Sequence, residues 1–194
     1  MVETITPVVH GGRRSRYLRS VAIHTVAATA SAGAVGLVLG ALLGGPWTDA
    51  GPIVLAVVAL MYAARELFGL PVPLPDRSAQ VPAWWRSFYG PDVTAALYGI
   101  GLGPGFLTYL TFGTYAAVLV GAFVAADPLL GAAITAPFGF ARGLSVLIGA
   151  RATNEEHSAV IADRLTTAGV RRGPALVNAS ALVAVAAAAL TSRP

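Results

Sequence analysis

The sequence has no cysteine and no lysine, and it has little charge of either sign. Without cysteine the chain can form no disulfide, hold no thiolate-bound metal and perform no thiol redox step of its own. Charged residues make up 11% of its 194 residues, against roughly 25% in an ordinary soluble domain. This is too little charge to cover a water-facing surface.

Hydrophobic residues make up 56% of the chain, and the mean hydropathy is +0.70. They lie in blocks of about 20 residues, the length at which a helix crosses a hydrocarbon core. We therefore predict an all-α, polytopic transmembrane helix bundle in the inner or plasma membrane, with the lipid bilayer as its main partner.

The predicted organisation is a basic cytoplasmic tail over residues 1–20 and a single transmembrane domain over residues 21–191. The first apolar block is too long for the core of a cleaved signal peptide, roughly 7 to 15 residues, so we expect a retained helix. About five spans are predicted, at residues 21–44, 52–70, 94–126, 128–150 and 174–191.

The third apolar block, residues 93–126, would measure about 51 Å as one straight helix, which exceeds the hydrocarbon thickness. The tract Gly99-Ile-Gly-Leu-Gly-Pro-Gly105 predicts a break near residues 99–105. A complete break would give a sixth span. Backbone freed from helical bonding inside a membrane is tolerated only where protein or a water-filled cavity satisfies it.

Two interpretations of this break are open. It could expose backbone groups to a small solute or ion near the midplane, as in transporters with discontinuous helices. It could instead be a kink for close packing, with threonine hydroxyls bonded to their own helix. In the first case the substrate-binding residues are Gly101, Gly103, Pro104, Gly105, Thr108 and Thr111.

Three ionisable residues lie deepest in the spans: Arg65, Glu66 and Arg142. Charge at such depth usually faces the protein interior or water. One hypothesis pairs Glu66 with Arg142, as a gate at the cytoplasmic edge or an anion site. In the alternative, the arginines extend to the lipid headgroups. His24 is expected near the headgroups, in the first turn of the first span.

Gly36, Gly40 and Gly44 form a tandem G-x-x-x-G pattern in the first span, which lets another backbone approach closely. Their partner could be another helix of the chain, a second copy in a homo-oligomer, or a different membrane protein. The sequence is also consistent with a faint repeat of helical hairpins, in which Asp49 to Arg65 matches Asp127 to Arg142. Many transporters are built from such repeats.

Every arginine except Arg193 lies in, or at the end of a span facing, the tail, the 71–92 connector or the 151–173 loop. The positive-inside rule then predicts a cytoplasmic N-terminus and a C-terminus outside. This distribution of charge between apolar blocks also argues against binding of nucleic acid. No metal site, cofactor or catalytic activity is expected, because no metal-ligand motif, nucleotide loop or nucleophile beside a base is present.

Two tracts, Tyr98-Gly-Ile-Gly-Leu-Gly-Pro-Gly-Phe-Leu-Thr and Pro137-Phe-Gly-Phe-Ala-Arg142-Gly-Leu, carry a family resemblance. The layout of residues 21–150 resembles the cytochrome c biogenesis and thiol-disulfide transmembrane proteins, within the wider group of LysE-type exporters. The resemblance implies a scaffold of broken helices. That family relays electrons through paired cysteines, which this chain lacks, so none of the family's functional residues is carried over.

The leading functional hypothesis is binding or transport of a small solute or ion at the broken third span. The alternative is a non-catalytic scaffold or accessory subunit that docks a membrane partner through the face of Gly36, Gly40 and Gly44.

Overall fold

The computed structural model describes residues 10, 13–42, 50–74, 84–105, 112–151 and 172–191, together with scattered residues between 156 and 167. The helices are α1 (Arg14–Leu42), α2 (Gly51–Phe68), α3 (Trp85–Phe88), α4 (Pro91–Leu102), α5 (Thr114–Val124), α6 (Pro128–Leu144) and α7 (Arg172–Thr191), with a 3-10 helix at Ser145–Arg151. The described residues contain no strand, which confirms the all-α prediction.

Four of the helical stretches are long and apolar enough to cross a membrane: Arg14–Leu42, Gly51–Phe68, Pro128–Ala150 and Arg172–Thr191. They coincide with four of the five predicted spans. The predicted third span is instead divided between α4 and the shorter apolar helix α5. Large apolar side chains such as Val26, Leu42 and Leu129 are exposed on these helices, as expected of surfaces that face lipid.

The first helix starts earlier than the sequence indicated. Residues 1–20 were predicted to be a tail without periodicity, but α1 begins at Arg14. Arginine is a good helix former. One face of this first part is also buried, since Tyr17, Ser20 and Val21 are nearly inaccessible. Packing of that face extends the helix into the basic segment.

Local signals account for the starts of α2 and α6, where the chain turns back. Each helix has a proline in its first turn, Pro52 and Pro128, where the missing N–H costs nothing. Before α6, the Asp127 carboxylate accepts a hydrogen bond of 2.7 Å from the N–H of Leu130. This N-cap satisfies one of the free donors of the first turn.

Helix α1 is the centre of one half of the bundle. It runs parallel to α4, because Arg19 meets Asp92 and, farther along, Ala28 meets Gly99. It runs antiparallel to α6, because Gly40 lies at Asp127 while Thr25 lies at Gly143. The α1/α4/α6 core is therefore built of three helices that pack at very short range.

The other half of the bundle is an apolar cluster of α2, α5 and α7. Its largest fully buried side chain is Leu182 of α7, and Tyr62 of α2 also packs into it. Most of the remaining members are alanines. Alanine at these positions lets the helix backbones approach, which is how helices gain packing energy where lipid removes the hydrophobic driving force.

The interruption between α4 and α5 lies beside the middle of α1. Gly103, just after α4, is in contact with the carbonyl of Ala28, the central residue of α1. Farther along, Ala122 of α5 and Gly36 of α1 both approach Gly131. Helices α4 and α5 thus pack one after the other along α1, and the end of α4 lies beside the midpoint of α1.

Candidate functional site

The candidate site is formed by the residues described after α4 and before α5, 103–105 and 112–113, called the break below. Thr108 and Thr111, predicted to bind a solute here, lie outside the described residues. Gly101, Gly103, Pro104 and Gly105 are all described, and each is buried. The geometry of the site is therefore carried by its two ends.

Gly103 is packed directly on the backbone of α1. A methyl group added to it would overlap the carbonyl oxygen of Ala28 and the hydroxyl oxygen of Ser31. Its own N–H donates to the carbonyl of Gly99 at 2.9 Å. Glycine is thus required here because two backbones meet, and its N–H already has a partner.

The next two residues are closed off by Tyr115 of α5. The Tyr115 hydroxyl donates a hydrogen bond to the carbonyl of Pro104, a carbonyl that lies beyond the end of α4. Gly105 has φ +74°, a left-handed conformation that favours glycine. The Tyr115 ring lies against this glycine. The carbonyl of Pro104, at the start of the break, therefore has its hydrogen-bond partner within the protein.

Glu66 of α2 holds the other end of the break. Its Oε1 accepts a hydrogen bond of 3.0 Å from the N–H of Gly113, immediately before α5. Oε1 also accepts from Nη1 of Arg65 at 3.0 Å, and the Glu66 side chain is only 6% exposed. A buried carboxylate needs such partners to offset its desolvation. Glu66 thus fixes the start of α5.

Thr114 connects this end to α7, because its hydroxyl donates to Oδ1 of Asn178. Nδ2 of Asn178 is buried and has no hydrogen-bond partner. Asn178 was not singled out in the sequence. Its signal was that it is the one amide in an otherwise apolar, alanine-rich span.

An ion pair was predicted between Glu66 and Arg142, and the structure shows a pair of Glu66 within α2. Glu66 pairs with the adjacent Arg65, and Nε of Arg65 also donates to the carbonyl of Val72 at 2.9 Å. Arg142 lies over the ring of Phe138, with its guanidinium carbon 5.4 Å from the ring centroid.

Tyr115 and Phe138 connect the break to α6. Their ring centroids are 5.1 Å apart, and Phe138 carries Arg142 on its face. Aromatic pairs and cation–π contacts of this kind add to the energy of simple burial. Phe138 was not predicted as a site residue, because no periodicity distinguishes it from other apolar residues of its span.

The glycine face of α1 is occupied by α6 of the same chain. A methyl group at Gly36 would overlap the carbonyl of Gly131 and the hydroxyl of Thr135, and one at Gly40 would overlap the carbonyl of Asp127. Gly44, the third member of the pattern, lies outside the described residues. Gly36 and Gly40 are therefore not available for docking a partner protein.

His24 is buried between helices. Because α1 begins at Arg14, His24 is in its third turn, and it is fully buried. Its Nδ1 lies 3.1 Å from the carbonyl of Ala95. A carbonyl only accepts, so Nδ1 carries the proton and donates. Nε2 is buried and has no hydrogen-bond partner.

Within the described parts of the chain, no group of three or more His, Asp or Glu side chains is placed to hold a metal ion. The polar contacts described above are all between protein groups. The residues after α4 contact α1 through glycine on one side and Tyr115 on the other.

Comparison with known proteins gives one consistent set of relatives. The chain is 31% identical over 182 residues to the methylamine utilization protein MauF of Methylorubrum extorquens, covering 91% of this chain and 61% of that protein. It is 39% identical over 127 residues to MauF of Paracoccus denitrificans, covering 59% of this chain and 44% of that protein. For MauF of Paracoccus versutus the identity is 36% over 116 residues, covering 60% and 42%.

The chain thus spans less than two thirds of the length of each of these relatives. No family model matches the chain, and no solved structure matches it. The resemblance to the cytochrome c biogenesis and thiol-disulfide transmembrane proteins was wrong, because the similar proteins are methylamine utilization proteins. Glycine- and proline-broken spans occur in many membrane proteins, so the two tracts that carried the resemblance were too general.

Proposed function

We propose that this chain is a membrane-embedded, non-catalytic accessory component of methylamine utilization. The observation that carries the proposal is the similarity to MauF of Methylorubrum extorquens, which extends over 91% of the chain. That similarity takes in the candidate spans described above rather than one short motif. We place the chain in the cell membrane, because the four long apolar helices match the hydrocarbon thickness in length.

The geometry of the break supports an accessory role more than transport. Gly103 is packed on α1, the carbonyl of Pro104 accepts from Tyr115, and the N–H of Gly113 donates to Glu66. These contacts favour a kink that lets helices pack closely. The names of the relatives specify a metabolic process and not the movement of a solute.

A partner protein in the membrane fits an accessory role. Gly36 and Gly40 are used within the chain, so the partner has to contact other surfaces. Exposed apolar side chains such as Leu176 and Val177 of α7 are open to such a contact, since the buried residues of α7 lie along one side.

A chimera tests the proposed function and allows for the shorter length of this chain. A Paracoccus denitrificans strain without its own MauF is made to express a chimera, which is MauF with its matched segment replaced by this chain. We expect growth on methylamine to be restored, with no effect on growth on another carbon source. A chimera that accumulates in the membrane yet leaves growth on methylamine absent would contradict the proposal.

Uptake measurements in the same strains separate the accessory role from transport. The accessory role predicts equal initial uptake of labelled methylamine with and without the chimera, even where growth is restored. A rise in initial uptake that is lost in a Gly103→Leu chimera would instead favour a solute site at the break. The Gly33→Leu chimera is the matched control, because Gly33 meets only Ala136, at ordinary contact distance.

A further inference from the structure

A cavity of about 250 Å³ lies at the shared N-terminal end of α1 and α4. The lining residues are His10, Arg16, Arg19, Ser20, Pro91 and Asp92, and most of the lining surface is apolar although five of the six have a polar side chain. Since a water molecule takes up about 30 Å³ of liquid, this space accommodates a group much larger than one water. No contact described for the break involves this cavity.

The charges around the cavity favour an anion. Arg16 and Arg19 contribute two guanidinium groups, and Asp92 contributes one carboxylate. Asp92 lies 2.7 Å from Nη2 of Arg19, and the side chain of Arg19 is still 70% exposed. The pair therefore orients Arg19 without covering it. A planar guanidinium can bind a phosphate through two parallel hydrogen bonds, so both arginines suit that group.

Ser20 and His10 form the inner wall. The Ser20 hydroxyl and Nε2 of His10 are 2.8 Å apart, and Ser20 is nearly inaccessible. The N-terminal turns of α1 and α4 also open toward this end, which adds partial positive charge from their backbone N–H groups. The cavity is therefore lined by hydrogen-bonding and cationic groups as well as by apolar surface.

The surface next to the cavity is aromatic and exposed. Helix α3 lies just before Pro91, and Trp84, Phe88 and Tyr89 at its two ends are 55%, 80% and 40% exposed. Trp85 between them stacks on Tyr98 of α4 with ring centroids 5.9 Å apart, which holds α3 against the bundle. Exposed aromatic rings beside arginines are typical of the headgroup level of a membrane.

We propose that this cavity binds the phosphate headgroup of an anionic phospholipid. Arg16 and Arg19 bind the phosphate, and the aromatic residues of α3 contact the glycerol and upper acyl region. The aromatic surface favours a lipid over a free anion, because inorganic phosphate would gain nothing from it. Basic pockets between membrane helices on the cytoplasmic side commonly bind such headgroups. The proposal does not depend on a role in methylamine utilization.

The test compares two double variants that remove the same charge. Arg16→Gln with Arg19→Gln changes the cavity, whereas Arg13→Gln with Arg14→Gln changes two exposed arginines that do not line it. The full chain is purified in neutral detergent, and bound phosphatidylglycerol is counted by native mass spectrometry during a titration. We expect the cavity variant to lose roughly tenfold in affinity per arginine, as for a charge-assisted hydrogen bond, and the control to keep it.

Asp92→Asn provides a result that a merely structural role would not give. The Asp92 carboxylate competes with phosphate for Arg19, so its neutralisation should tighten phosphatidylglycerol binding. If the cavity double variant does not fold, Arg16→Gln against Arg14→Gln makes the same comparison, because Arg16 is exposed.

Three outcomes would overturn the proposal. Equal losses in the two double variants would mean that only the overall basic charge attracts lipid. Unchanged affinity in the cavity variant would mean that the lipid binds elsewhere. If inorganic phosphate displaces phosphatidylglycerol and binds by itself with the same affinity, the cavity is a site for a free anion.

Discussion

Gly36 lies in the close contact between α1 and α6, and its replacement by alanine tests the glycine packing directly. An added methyl group would overlap the carbonyl oxygen of Gly131 and the hydroxyl of Thr135. A backbone carbonyl cannot rotate away, so the two helices must separate. Gly33, one turn earlier, offers a control, because its methyl group would lie 3.7 Å from Cβ of Ala136, an ordinary contact.

The expected magnitude follows from comparing the two substitutions. Both gain the helix propensity of alanine over glycine, up to about 1 kcal/mol, so this contribution cancels in the comparison. Overpacking at Gly36 costs about 1–3 kcal/mol. Gly36→Ala should therefore have a free energy of unfolding lower than that of Gly33→Ala by about 2 kcal/mol. A larger residue at Gly36 should prevent stable packing of α6 on α1.

The assay is reversible unfolding in mixed micelles of a mild detergent and dodecyl sulfate, followed by circular dichroism. Both variants and the unchanged protein are measured under the same conditions, because such free energies depend on the micelle. Equal stability of Gly36→Ala and Gly33→Ala would refute the close approach of α1 and α6. So would destabilisation of both to the same extent.

Two further predictions concern the ends of the break. Tyr115→Phe should lower the free energy of unfolding by about 1 kcal/mol, because the carbonyl of Pro104 loses its donor. Tyr89→Phe, at the exposed surface, is the control and should have no effect. Equal changes in the two variants would argue against the Tyr115 contact. Glu66→Ala should lower the free energy of unfolding by about 1–3 kcal/mol, because the buried N–H of Gly113 loses its acceptor. Glu66→Gln should cost less, since its amide oxygen can still accept this hydrogen bond. Equal losses in the same unfolding assay would mean that the charge of Glu66, and not its hydrogen bond to Gly113, stabilises the protein.

The helical architecture was predictable because it follows from the length and hydropathy of each apolar block. A block of about 20 apolar residues has few alternatives in a membrane, and four blocks became the long helices. The glycine–proline tract was also readable, since α4 ends at Leu102 within it. These features depend on sequence that is local to each helix.

The contacts between helices were less predictable. The sequence indicated a packing face at Gly36 and Gly40 but not its partner, and the G-x-x-x-G spacing of Gly139 and Gly143 on α6 was overlooked although it is the same kind of signal. The contacts of Glu66 with Arg65 and with the N–H of Gly113 were not predicted, because nothing in a sequence shows that a carboxylate on α2 meets a backbone N–H immediately before α5. Such pairings depend on which helices become neighbours.

Orientation is the remaining prediction, and the absence of cysteine makes it simple to test. Ser15 and Ser87 lie at the arginine-rich end, near the starts of α1 and α4, whereas Ala50 and Ala126 precede α2 and α6 at the opposite end. Single cysteines at these four positions, in intact cells, are exposed to a thiol reagent that cannot cross the membrane. Since arginines stay on the cytoplasmic side, Ala50→Cys and Ala126→Cys should react, and Ser15→Cys and Ser87→Cys should react only after permeabilisation. The reverse pattern would place the lipid-binding cavity on the outer face, and labelling of all four would mean that the helices do not cross the membrane.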